Sequence, residues 1–279
     1  MILDNFPSTL SLYRKIIFGS KKGIPKEGRL QNIKIQIKDL ILPQALLENY
    51  NILCGFDIES IPLTFPYALA GPLHLALIAD KQFPIKPAGL LHIRNHIVQL
   101  SDIQIEQKAD LSVEVCASRF RPQGFEFDIK TTLSQSGEEK WTCISTLLKR
   151  GKFDTEDPAS EQENIFEKLE DSSPELLKFN VPKNVGKLYA RLCKDYNPIH
   201  ISVLMAKLFG FKRSIAHGMW VSAAALAKVN QPQANKFDLA FKGPVFTGSE
   251  VIVKKGDDGH YNCFTSGNER PVILMKLSG

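Results

Sequence analysis

Asp195, Asn197 and His200 stand close together within YARLCKDYNPIHISVLMAKLFGFKRSIAHGMW, the run from Tyr189 to Trp220 that is densest in chemically able side chains. Asn197-Pro198 reads as a helix cap followed by proline at the first helical position. The Asn oxygen accepts a free helix N–H, and proline there has no N–H to lose. The cap predicts a short helix from 198 to about 209, with His200 in its first turn and Asp195 on the strand or loop just before it. A carboxylate five residues ahead of an imidazole, across a cap that folds the chain back, can bring both toward one point. His217-Gly218 opens the next, strongly apolar helix, and glycine at a helix N-terminus leaves a bare N–H able to bond an anionic oxygen. An acid/base pair beside a backbone oxyanion donor is equipment for proton transfer next to a carbonyl. The same residues also have a plain structural use, Asp195 and Asn197 as caps and His200 as half-buried surface, and at this point both readings stand.

The elements that must position these groups come twice in the chain. LPQALLENYNILCGF (42–56) lies over VPKNVGKLYARLCKD (181–195), so that Pro43, Tyr50, Leu53 and Cys54 meet Pro182, Tyr189, Leu192 and Cys193. After the second copy, the spacing predicts a helix over 218–228 and then strands over 237–246, 250–255, 260–266 and 271–277. After the first copy come a helix over 72–80 and strands over 90–100, 110–120, 124–133 and 140–149. A register matching Pro72-Leu73-His74 with Pro198-Ile199-His200 is rejected, because it would lay a period-2 segment over a helix. The expectation is therefore α+β, two units each with a helix packed on an antiparallel sheet. Ser136-Gly137 and Gly256-Asp257-Asp258-Gly259 are expected to close hairpins. Near the N-terminus, Leu10, Tyr13 and Ile17 fall on one helical face, read as docking on the protein's own body.

Composition excludes several classes. The 279 residues are 43% hydrophobic and 23% charged, the proportions of a soluble globular chain rather than a disordered or fibrous one. The longest uncharged stretch, 60–79, holds Pro62, Pro66, Pro72 and His74, so no membrane-spanning helix is expected. Asp4 stands where a secretion signal carries positive charge, and the chain is read as cytoplasmic. Five scattered cysteines without metal spacing imply reduced thiols and no structural metal. Net charge is +5, yet 154–175 carries −8, leaving a basic remainder suited to an anionic partner such as a CoA phosphate or an acidic carrier protein. Nucleic acid is disfavoured for want of a basic, aromatic-interleaved signature. The acidic stretch also marks the expected boundary, giving an N-terminal repeat over 1–150, a linker over 151–178 and a C-terminal repeat over 179–279.

Tyr189, Leu192, Cys193, Asp195, Asn197, Pro198, Ile199, His200 and Ala206, continued by Gly210-Phe211 and Ile215-Ala216-His217-Gly218-Met219, closely resemble the hydratase-2 motif of MaoC-like dehydratases. A chain of this length with a degenerate first copy resembles that family's double hot-dog members. The resemblance implies reversible hydration of a trans-2-enoyl thioester to an (R)-3-hydroxyacyl thioester, on CoA or acyl carrier protein; no cofactor and no metal are expected, because the second copy holds an acid/base set and the sequence no ligand cluster or nucleotide fingerprint. It implies Asp195 and His200 as the catalytic pair, with Asn197 and the Gly218 N–H as substrate-binding groups. The family usually has glycine just before the catalytic Asp, where this chain has Lys194. A position that required positive φ would strain lysine. The first copy keeps Gly55 but has Phe56 in place of Asp195, so it is expected to line the substrate rather than to react with it. His74, His92, His96 and His260 are read as structural. A hot-dog thioesterase and a catalytically silent acyl-binding subunit remain as alternatives, and a homodimer is left open.

Overall fold

Long alternating segments in the first half of the chain build an antiparallel sheet, and a run of apolar residues supplies the helix laid against it. The computed structural model describes residues 1–154, 156–157 and 173–279, and among these eleven strands and eight helices form. Contacts gather them into two compact units that interleave in sequence. One holds Met1–Leu42 and the chain from Leu69 to the acidic stretch; the other holds Pro43–Ala68 and the chain from the acidic stretch to Gly279.

The first unit contains β1 (Ile2–Leu3), α1 (Thr9–Phe18), β2 (Lys34–Ile41), α4 (Gly71–Ala79), β3 (Leu90–Gln99), β4 (Lys108–Arg121), β5 (Gly124–Gln135) and β6 (Glu138–Arg150). Its strands run β1-β2-β4-β5-β6-β3, antiparallel except where β1 joins β2. Leu73, Ala76 and Leu77 of α4 are buried, and α4 packs on β2 and β4. Period 2 sends Phe125, Phe127 and Ile129 of β5 to one face and Glu126 and Asp128 to the other. Both acids are buried and paired: Glu126 with Arg94 and Arg119, and Asp128 with Arg119 at 2.7 Å. Ser136 (φ 53°) and Gly137 (φ 81°) turn β5 into β6, the two successive left-handed residues that a tight hairpin requires.

The second unit contains α2 (Gln44–Cys54), most of α3 (Phe65–Leu69), β7 (Glu175–Asn180), α5 (Val185–Cys193), α6 (Pro198–Ile201), α7 (Val203–Leu208), α8 (Gly218–Val229), β8 (Lys236–Phe241), β9 (Glu250–Lys255), β10 (His260–Thr265) and β11 (Ile273–Ser278). Its antiparallel sheet runs β8-β11-β10-β9-β7. Nearly every side chain of α8 is buried, as expected of a helix apolar on all sides, and Ala223, Ala224 and Ala225 keep it slim. α2 packs on α5 and α8 within this unit. The Trp220 indole N–H donates to the Leu53 carbonyl at 3.1 Å, and Tyr50 lies 6.2 Å from Tyr189, ring to ring. Asn51 holds the loop after α2 by donating to the carbonyls of Asp57, Ile58 and Ser60.

The helix-then-strands order expected of each copy is present, but several local expectations change. The helix expected over 198–209 is two pieces, because Ser202 turns to an extended φ of −136° and accepts from Met205 N, starting α7 afresh. The strand expected over 237–246 stops at Phe241, and Phe246 makes only an isolated bridge to Ile215. α1 forms and packs on α4, but its buried residue is Leu12, while Leu10 and Ile17 are exposed. Residues 43–68, read as part of the N-terminal repeat, belong to the second unit. Most of the acidic linker lies outside the described residues. No helix among the described residues is long and apolar enough to cross a membrane.

Candidate active site

α5 buries Val185, Gly186, Tyr189, Ala190 and Cys193 and leaves Lys187 and Arg191 exposed. It ends where Lys194 takes a left-handed conformation, φ 59° and ψ 15°. The Lys194 ammonium donates to the Arg191 carbonyl at 2.6 Å, occupying one acceptor that the helix end leaves open. The turn delivers Asp195, whose Oδ1 accepts from Asn197 N at 3.1 Å. Asn197 Oδ1 in turn accepts from Ile199 N at 3.4 Å, and Pro198 takes the first helical position, so the cap read from sequence is present. A Cβ on Gly186 would lie 2.0 Å from the His200 carbonyl oxygen. α5 and α6 therefore meet backbone to backbone, which fixes where His200 begins.

The structure brings Asp195 and His200 together and adds a third group. Asp195, His200 and His217 each offer an atom lying within 4.8 Å of the others'. His200 Nδ1 donates to the Ile215 carbonyl at 2.9 Å, which leaves Nε2 as the ring's accepting nitrogen. The His217 ring stacks on that of His200, centroids 3.7 Å apart and planes 25° apart. His217 Nε2 donates to the Asp195 main-chain oxygen at 3.1 Å and lies 3.7 Å from Asp195 Oδ2. Its side chain is only 6% exposed, against 49% for that of Asp195. Burial first, and the neighbouring His200 second, push His217 down from 6.5 to about 3 despite the opposing pull of Asp195, so it is neutral at ordinary pH.

Gly218 opens α8, where its N–H has no carbonyl one turn earlier to serve it. A Cβ there would sit 2.7 Å from the Phe241 ring, so packing favours glycine at this position. Cys193, next to the site, is held protonated by burial and then by Asp195, which removes it as a nucleophile. One wall of a pocket of about 360 Å³ is His200, with Lys183, Lys187, Ser202 and Val203 among the other walls. His74 and His92 pair instead with Thr131 (2.7 Å) and Asn95 (2.9 Å) in the first unit, and His260 with the Asp257 carbonyl (3.0 Å).

Sequence reasoning placed His217 within the motif and at the opening of a helix, but gave its side chain no role. The available signal was its position: caps favour Ser, Thr, Asp and Asn, whereas His217 occupies the cap and makes no capping bond. Nearly parallel rings do not aim their lone pairs at one point, and His217 Nε2 carries the proton it gives to the Asp195 carbonyl, so the three groups as they stand do not converge on a cation.

The family model described as MaoC like domain matches residues 167–268. Over 258 residues, 91% of each chain, the sequence is 28% identical to 3-hydroxyacyl-thioester dehydratase X of Mycobacterium tuberculosis. Over 72 residues, 24% of this chain and 54% of the other, it is 35% identical to an (R)-specific enoyl-CoA hydratase of Aeromonas caviae. The crystal structure of HtdX from Mycobacterium tuberculosis superposes with a TM-score of 0.74 at 24% identity, covering 88% of this chain and 100% of that one. A further Mycobacterium tuberculosis protein, described as a double hotdog fold, matches with a TM-score of 0.57 at 11% identity over 89% and 95% of the two chains. The fold is a double hot-dog.

Proposed function

We propose that this chain, which carries a MaoC-like domain, is a hydro-lyase interconverting (R)-3-hydroxyacyl and trans-2-enoyl thioesters. The observation that carries the reading is the Asp195–His200 pair, separated by no more than 4.8 Å with the His200 tautomer set by Ile215. One water hydrogen-bonded to each group at ~2.8 Å spans such a gap. As the water oxygen adds to C3, the pair takes one of its protons and supplies one to C2, so that H and OH are added across the double bond. Negative charge moves onto the thioester oxygen, where the Gly218 N–H at the start of α8 receives it. Asn197 sets the turn that aims both groups, since its side-chain oxygen is engaged as the cap. Among the described residues there is one such site: Phe56, the counterpart of Asp195, stacks on Tyr50 and can neither accept a proton nor hold a water. The thioester is carried by CoA or by acyl carrier protein. An anionic carrier suits the surroundings, because 181–237 holds nine Lys or Arg and a single acid, Asp195.

The test follows loss of the conjugated enoyl absorbance on a trans-2-enoyl-CoA, with free thiol measured in the same cuvette and chiral analysis of the product. Hydration to the (R) alcohol without thiol release is expected. Asp195→Asn and His200→Ala are each expected to cut kcat at least ~100-fold with circular dichroism unchanged. Thiol release without hydration would make the protein a thioesterase, and neither reaction would leave an acyl-binding subunit.

A further inference from the structure

We infer that His217 is a positioning residue of the hydration site: its Nε2–H holds the Asp195 carbonyl while its ring face carries the His200 imidazole. The inference rests on the hydro-lyase reading for its kinetic arm and on geometry alone for its spectroscopic arm. Three observations converge. His217 stands at the N-cap of a twelve-residue helix without capping it, so the side chain serves something other than helix termination. It touches both members of the pair, Asp195 through a 3.1 Å hydrogen bond and His200 through a 3.7 Å stack. Its own environment is closed: the side chain is 6% exposed, the Tyr189 ring lies 5.1 Å away, and His217 Nδ1 has no hydrogen-bond partner among the described residues.

Each contact constrains a different freedom. Asp195 follows a left-handed residue and is half-exposed, and the His217 N–H holds its carbonyl. The His200 ring is tethered at Nδ1 by one bond, which permits rotation about that bond until a second surface stops it. The face of His217 is that surface. A neutral partner is needed there, because a cation stacked beneath His200 would oppose its taking a proton from water. The buried, uncharged His217 meets that condition, and Lys or Arg at this position would not. Errors of about 1 Å in such a constellation cost orders of magnitude in rate, so the effect belongs in kcat.

The test compares two substitutions at His217, one of them also in a His200→Ala background. His217→Phe keeps the flat face and loses the N–H; His217→Gln keeps a donor near the same place and loses the face. His217→Phe is expected to lower kcat by 10-fold or more with KM within about 2-fold, and His217→Gln to recover part of that loss. In a His200→Ala background the His217→Phe loss should nearly vanish, since the residue acts through the pair. A His217→Phe enzyme with wild-type kcat, or an equal loss in the His200→Ala background, overturns the inference while leaving the hydro-lyase reading intact. Long-range proton–nitrogen spectra of the full chain decide independently of turnover. They should show His217 as the neutral Nε2–H tautomer from pH 7 to 5, and His217→Gln should shift the His200 ring resonances. A charged or Nδ1–H His217, or an unmoved His200 signal, overturns the inference even for a protein that hydrates nothing.

Discussion

Lys194 shows how one residue can be tolerated at a position its chemistry does not favour. The turn between α5 and Asp195 needs a left-handed residue, and its counterpart after α2 is Gly55 at φ 86°. A non-glycine residue there costs ~1–2 kcal/mol, against the 0.5–1 kcal/mol or so that glycine loses in chain entropy. Lys194→Gly is therefore expected to stabilise the protein by about 1 kcal/mol, read as a rise in Tm of roughly 2 °C. His217 gives a residue-scale prediction of the opposite sign in acid. Its folded value, about 3, lies below the ordinary 6.5, so its contribution to stability is complete above pH 6.5. Below that, the unfolded chain binds a proton that the folded one refuses, and up to ~1.4 kcal/mol is lost per pH unit toward pH 3. Denaturant titrations between pH 7 and 4.5 should show a shallower pH slope in His217→Phe than in the native chain.

At the scale of elements, the site depends on two close approaches that only glycine permits. Gly186 lets α5 touch the His200 carbonyl, and Gly218 lets α8 pass under Phe241. Gly186→Ala must push against backbone, so it is expected to displace His200 and reduce kcat at least ~10-fold, well beyond what its effect on Tm implies. Gly218→Ala meets the side of an aromatic ring, and its cost should appear chiefly as a loss of stability of ~1–3 kcal/mol from overpacking. Comparing kcat and Tm across the two variants separates positioning from packing. The helix and strand periods of α8, β9 and β10 were legible because burial on one side or all round writes itself into the order of apolar residues. The break at Ser202 was not, because Ser-Val-Leu-Met is as compatible with helix as with a new cap.

Over the whole molecule, charge is unevenly spread. The acidic stretch carries −8, whereas 181–237 holds nine Lys or Arg against one acid, with Lys183 and Lys187 on the walls of the pocket beside His200. Such a field draws anionic substrates in and is screened over roughly 10 Å at 0.1 M salt. Lys183→Glu combined with Lys187→Glu is expected to raise KM for an acyl-CoA several-fold at low ionic strength. The effect should shrink in 0.5 M salt while kcat stays within about 2-fold.

The sequence by itself determined the duplicated helix-on-sheet plan and the Asn197-Pro198 cap. It also placed Asp195 and His200 five residues apart across that cap, because caps, periods and spacing are local properties that follow from short-range sterics and hydrogen bonding. Tertiary structure alone decided that residues 43–68 join the second unit, where Tyr50 meets Tyr189 and Leu53 receives the Trp220 N–H. It also decided that His217, distant in sequence from Asp195, lies against both members of the pair. No local pattern encodes these placements, since they arise from how buried surfaces close on one another once the elements exist.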